Sequence, residues 1–142
     1  MFTGEYRHSV DEKGRIAVPA KFRLQLDGGA YLARWVDACL AIFPKAEFEA
    51  LAGKVGGLGI ADASARTFSR ALFASAYEVE LDRQGRIVVP SSLRELLGLA
   101  GDAVIVGARD HAEIWAPAAW DDYRKAMEAP DALAAHLTGL GI

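Results

Sequence analysis

Two arginines occur in the same short setting, Arg15 in VDEKGRIAVP (residues 10 to 19) and Arg86 in LDRQGRIVVP (residues 81 to 90). Each follows a glycine directly and stands four residues after an aspartate, with a second cation inside the turn, Lys13 in the first and Arg83 in the second. A guanidinium is a planar fork of donors, suited to bidentate contact with phosphate oxygens or with O6 and N7 of guanine in a major groove. Carried just past a tight turn, it could project from the end of the loop. The same spacing also serves a plainer role. Asp11 with Arg15, and Asp82 with Arg86, can pair across the turn and lock it, an exposed bridge contributing about 0–1 kcal/mol. The two readings are compatible, because an aspartate that fixes the turn also aims the arginine.

No other grouping of reactive side chains competes with these turns. Cys39 is the single cysteine, so neither an intrachain disulfide nor a cysteine cluster for zinc is available, and its setting in ACLAIF reads as a buried, inert thiol. His8, His111 and His136 are far apart in sequence and stand in no ligand spacing, so no metal site is expected. Asp121 and Asp122 are adjacent, which on a helix points them in different directions. The glycines of GGLG lack the lysine of a phosphate-binding loop. The expectation is a non-enzyme with no cofactor and no small-molecule substrate.

The arginines need rigid turns, and the flanking residues supply them. Tyr6, His8 and Val10 alternate with Glu5, Arg7 and Ser9, and Tyr77, Val79 and Leu81 alternate with Glu78 and Glu80, the period-two pattern of half-buried strands. DEKG or DRQG then turns the chain. Aspartate (Asp11, Asp82) fits the first position because its carboxylate accepts turn amides, and glycine (Gly14, Gly85) fits the last because it takes a positive φ without steric cost. RIAV or RIVV returns as the second strand of a hairpin until Pro19 or Pro90, which lacks the N–H a ladder needs and suits the start of a short helix. In the second of these helices Leu93, Leu96 and Leu97 make the apolar face and Gly98 is the stop. Another hairpin follows in each half, AYLARW with CLAIF and AVIVGA with AEIWA, after which Pro44 and Pro117 open helices over 45–54 and 118–128. KVGGLGIADA reads as a flexible connection, followed by a helix over 63–75 with Phe68, Leu72 and Phe73 on one face, and a last helix lies near 131–138.

The unit β-β-α-β-β-α therefore occurs twice. The alignment extends past the decapeptides, pairing Phe22 with Leu93, Arg23 with Arg94, Ile42 with Ile114, Phe43 with Trp115 and Phe48 with Trp120. It divides the chain into a repeat over 5–50, a connection and helix over 51–75, a second repeat over 76–125 and a helical tail over 126–142. A β unit of about 45 residues has too little interior to stand alone. Two copies can bury their apolar faces against each other, which predicts one α+β, β-rich domain with pseudo-two-fold symmetry and peripheral helices. For the 63–75 helix and for Trp120, Tyr123 and Met127, periodicity admits packing within the chain and packing against another subunit.

The 142 residues are 52% hydrophobic and 25% charged, far from the composition of a disordered chain. No eighteen-residue window is free of charge and the N-terminus lacks a signal-peptide pattern, which predicts a soluble, cytoplasmic protein with no membrane partner. A net charge of −3 is awkward for a partner of phosphates, but its distribution is uneven. Residues 1 to 26 hold Arg7, Lys13, Arg15, Lys21 and Arg23 against Glu5, Asp11 and Glu12. In residues 77 to 98 the acids outnumber the arginines, and beyond 110 they dominate. Nucleic-acid contact is thus expected at the first copy.

VDEKGRIAVPAKFR and LDRQGRIVVPSSLR, each with the hairpin after it, resemble the two tandem SpoVT/AbrB-type domains of the MraZ family of bacterial transcription regulators. The resemblance implies a double-ψ swapped-hairpin barrel, AbrB-like, in which the two repeats of one chain make the unit that a dimer makes elsewhere. It implies a homo-oligomeric ring, nucleoid-associated, that binds double-stranded DNA at direct repeats in the promoter of the division and cell wall gene cluster, mainly as a repressor. The family's D-x-x-x-R motif maps onto Asp11 and Arg15, with Lys13 between them, and onto Asp82 and Arg86, beside Arg83; Gln84 stands where the first copy has Lys13. The first copy is accordingly expected to be the principal DNA-facing loop. The alternatives are an AbrB-type antitoxin, against which the apolar PDALAAHLTGLGI tail counts, and a purely structural oligomeric module.

Overall fold

The computed structural model describes all 142 residues. The alternation around Tyr6, His8 and Val10 makes β1 (Glu5–Val10), with its odd residues exposed and its even ones turned inward. After the first turn come β2 (Arg15–Ala17), α1 (Ala20–Leu26), β3 (Ala30–Arg34), β4 (Cys39–Pro44) and α2 (Lys45–Gly56). An additional helix, α3 (Ala63–Ala74), leads to the second copy: β5 (Tyr77–Val79), β6 (Arg86–Val88), α4 (Ser91–Leu97), β7 (Gly101–Gly107), β8 (Ala112–Trp115) and α5 (Pro117–Glu128), with α6 (Ala132–Leu137) last.

All eight strands form one antiparallel sheet in the order β5-β3-β4-β8-β7-β1-β2-β6, wrapped into a nearly closed swapped-hairpin barrel. The expected first hairpin keeps its turn but not its ladder. β1 and β2 meet only at Val10 and Ile16, whereas β1 pairs along its whole length with β7, and β5 pairs with β3. Pro19 and Pro90 are the reason: each cuts the return strand to three residues, leaving most of the first strand to find its partner in the other repeat. β2 and β6 pair with each other, Ile16 opposite Ile87, and β4 pairs with β8, Ala41 opposite Glu113. These pairs join equivalent residues and mark the pseudo-two-fold axis.

The barrel interior is filled by both repeats, with Ile16, Val18, Phe22, Leu32 and Ile42 packed among Ile87, Val89, Leu93, Ile105 and Ile114. Helices cover the outside. α2 and α3 pack Phe48, Val55 and Leu72 onto Ala33, Ala41 and Phe43, and α5 packs Trp120 onto Trp115 and Val104. Trp120, Tyr123 and Met127 thus pack within the chain, Tyr123 stacking on Trp120 with centroids 6.0 Å apart. Two details differ from the periodicity. The glycine-rich connection begins only at Gly57, because α2 continues through Gly56, and Asp62 caps α3 by accepting the amides of Ser64 and Ala65. On α3 only Leu72 is buried; Phe68 and Phe73 remain exposed, Phe73 meeting Phe48 of α2 edge-on.

Candidate nucleic-acid interface

Each turn is organised by one carboxylate. In the first, Asp11 Oδ1 accepts the amides of Lys13 (3.0 Å) and Arg15 (2.8 Å), while Oδ2 accepts Arg15 Nε at 2.6 Å. The backbone closes with Gly14 N–H donating to the Asp11 carbonyl and Asp11 N–H to that of Arg15. The second turn repeats the arrangement: Asp82 Oδ1 accepts the amides of Gln84 (2.8 Å) and Arg86 (2.9 Å), and Oδ2 accepts Arg86 Nε at 2.8 Å. Gly14 and Gly85 hold φ of +79° and +74°, so the positive-φ requirement read from the sequence is met at both. The amide of Arg15 donating to it, with help from the guanidinium and against partial desolvation, holds the Asp11 carboxyl below its usual range, and the amide of Arg86 does the same for Asp82.

The locking role and the aiming role are therefore performed by the same atoms. Arginine has five N–H donors, and the pairing with aspartate spends only Nε–H, leaving the four of the terminal nitrogens. Ile16 and Ile87 point into the barrel, so Arg15, Ala17, Arg86 and Val88, their neighbours on β2 and β6, share its outer face. The two turns lie at opposite ends of this short ladder, related by the pseudo-dyad between the isoleucines. Lys13 and Arg83 are exposed at the turn tips, and Asp11, Gly14, Asp82 and Gly85 hold the turns.

Charge counted in space differs from charge counted along the chain. Arg7, part of the basic N-terminal segment, is engaged by Asp121 of α5 at 2.6 Å. Arg23, also counted with the first copy, lies against Gly85 of the second turn, and Arg94 lies against Gly14 of the first. The second turn thus has Arg83, Arg86 and Arg23 beside Asp82, whereas the first has Lys13, Arg15 and Arg94 beside Asp11 and Glu12. Arg23 thereby adds to the positive charge at the second turn and Arg94 to that at the first. Arg23 and Arg94 had a signal in the sequence, each four residues after the repeat proline. Their reach into the opposite repeat had none.

Other reactive groups stand away from this face. Cys39 is buried and burial pushes its thiol up to about 12, which keeps it protonated and inert. His111 is buried between Asp110 (Nδ1 to Oδ1, 2.7 Å) and Glu113 (Nε2 to Oε2, 3.1 Å) and stacks on Phe43. Glu113 also accepts Trp115 Nε1–H, so this cluster ties the β7–β8 turn to the barrel wall. No helix is long and apolar enough to cross a membrane.

Comparison with known proteins accounts for both halves. A family model described as "MraZ protein, putative antitoxin-like" matches residues 1–71 and again 72–138. A protein of Roseiflexus sp. named Transcriptional regulator MraZ is 46% identical over 91% of this chain and 90% of its own. Proteins of the same name from Symbiobacterium thermophilum and Syntrophomonas wolfei are 47% identical over 84% of this chain and 87% of their own, and 41% identical over the full length of both. Two consecutive matches, meeting within α3, and relatives aligned along most of their length have one meaning: the chain belongs to the MraZ family.

Proposed function

We infer that this chain is a sequence-specific DNA-binding transcriptional regulator with no catalytic activity. The observation that carries the reading is the pair of matched turns on one outer face, each presenting an arginine whose Nε is fixed and whose terminal nitrogens are free. Arg15 and Arg86 make the directed contacts to phosphates or guanine edges, Lys13 and Arg83 add phosphate contacts at the tips, and Asp11, Gly14, Asp82 and Gly85 hold the turns in shape. The names of the relatives support the regulatory role. The target is the promoter of the division and cell wall gene cluster, read at direct repeats, and the effect is repression. One face per chain is small and the net charge is −3, so a ring of identical subunits, each engaging a repeat, supplies the effective concentration that a single face lacks. Exposed apolar residues on and after α6, Leu133, Leu140 and Ile142, are available to such an assembly.

Binding to the chain's own upstream DNA, followed by fluorescence anisotropy across a salt series, tests this. Affinity should fall steeply with salt, and Arg15→Ala should weaken it by about tenfold or more and reduce the logarithmic salt slope by about 1 for each engaged subunit. Arg86→Ala should cost a comparable amount. Affinity insensitive to salt and unmoved by either substitution would overturn the reading.

A further inference from the structure

Helices α1 and α4 each carry an arginine that bonds a carbonyl of its own repeat and lies against the turn of the other. Arg23 Nε donates to the carbonyl of Val18 at 3.0 Å, and Val18 N–H donates to the carbonyl of Gly85 at 2.8 Å. Arg94 repeats this in mirror roles: its Nε donates to the carbonyl of Val89 at 3.0 Å, and Val89 N–H donates to the carbonyl of Gly14 at 2.8 Å. Each guanidinium then lies over the glycine of the far turn. A Cβ at Gly14 would come within 2.7 Å of Arg94 Nε and 2.8 Å of its Cζ, and one at Gly85 would overlap the guanidinium of Arg23, with Cδ at 2.8 Å. The glycines are therefore required twice, for a positive φ and for the flat group stacked against them.

We propose that Arg23 and Arg94 are positioning residues for DNA binding, each setting the shape of the turn that belongs to the opposite repeat. This rests on the reading that the two turns face DNA. Arg94 holds the carbonyl of Val89, the residue whose own N–H anchors Gly14, and its guanidinium lies against Gly14 beside Arg15. Arg23 does the same for Gly85 and Arg86. A lysine in either place keeps the charge but has neither the Nε–H at the branch point nor the planar fork that covers a glycine. The shape of a DNA-facing loop in one repeat is thus written partly in the helix of the other.

The test uses the full chain with Arg23→Lys and Arg94→Lys, alone and combined with Arg15→Ala and Arg86→Ala. Losing one directed hydrogen bond to a carbonyl should cost about fivefold in affinity for the upstream duplex. Arg94→Lys should add little to Arg15→Ala, since both disable the first turn, and should multiply with Arg86→Ala; Arg23→Lys should show the reverse pattern. Hydrogen exchange read by mass spectrometry should show faster exchange over residues 11 to 15 in Arg94→Lys and over 82 to 86 in Arg23→Lys, with the other turn unchanged. Three outcomes would overturn the proposal: full affinity and unchanged exchange in the lysine variants, coupling confined within one repeat, or exchange rising in both turns together as general instability would cause. If Arg15→Ala and Arg86→Ala leave DNA binding intact, it is the DNA-facing reading that fails, and the exchange pattern alone decides the positioning role, far-turn exchange supporting it and any other pattern overturning it.

Discussion

His111 is the residue whose charge the fold has most clearly arranged. Burial works against its protonated form, but hydrogen bonds to Glu113 and Asp110 outweigh it, so its pKa is raised, while the bond to His111 lowers that of Asp110. A histidine whose folded pKa lies above its unfolded value of about 6.5 stabilises fully below that value and loses the contribution as pH rises through the folded one. Urea midpoints should therefore fall as pH rises from about 6.5 upward, the direction of the raised pKa. His111→Gln should flatten that slope and cost about 1–3 kcal/mol at pH 6 by leaving Asp110, the partner of Nδ1, without its donor. An equally steep slope in the variant would show that other groups set it. The sign is reversed for Asp11 and Asp82, whose lowered pKa values place their contribution above the unfolded carboxylate value and remove it as pH falls through the folded one. Their turns were legible in the sequence because every atom of the turn comes from five consecutive residues. The His111 cluster was legible only as a histidine beside two acids; its burial against Phe43 and Trp35 comes from a different hairpin.

Among the elements, the turn ending in Gly85 tolerates little change. Alanine there must adopt a φ of +74° and displace Arg23. Gly85→Ala should destabilise the fold by about 1–3 kcal/mol in thermal or urea unfolding, whereas Gly53→Ala, in the interior of α2 with open space around its Cα, should be neutral or stabilising by up to about 1 kcal/mol. Equal effects at the two sites would argue that the turn has room to relax. Strand and helix positions were readable to within a residue or two, since alternation, proline and glycine act locally. Gly98, read as a helix stop, does end α4 in the left-handed conformation with φ of +65°. What failed was the first hairpin. A turn with the right residues predicts that the chain reverses, but not which neighbour takes the ladder; that is decided by which strand offers more pairs, and β7 offers β1 six against the single pair with β2.

For the whole molecule, the swapped pairing makes the two repeats mutually dependent. β1, β2, β3 and β4 each have a ladder partner in the second repeat, and the main core draws on both halves. A chain of residues 1 to 75 alone should lack cooperative unfolding by circular dichroism, or should fold only as a dimer that uses a second copy as its missing half; a stable folded monomer would contradict the dependence. Sequence by itself determined the repeat, the turn chemistry and the helix boundaries, because these rest on contacts within a few residues and on the comparison of one half with the other. Only the tertiary structure decided which strands pair between repeats, that Arg7 is neutralised by Asp121, and that Arg23 and Arg94 cross to the opposite turns. Those outcomes depend on distances between residues far apart in the chain, 114 positions for Arg7 and Asp121, and charge or hydrogen-bonding capacity acts through space, which a linear order does not record.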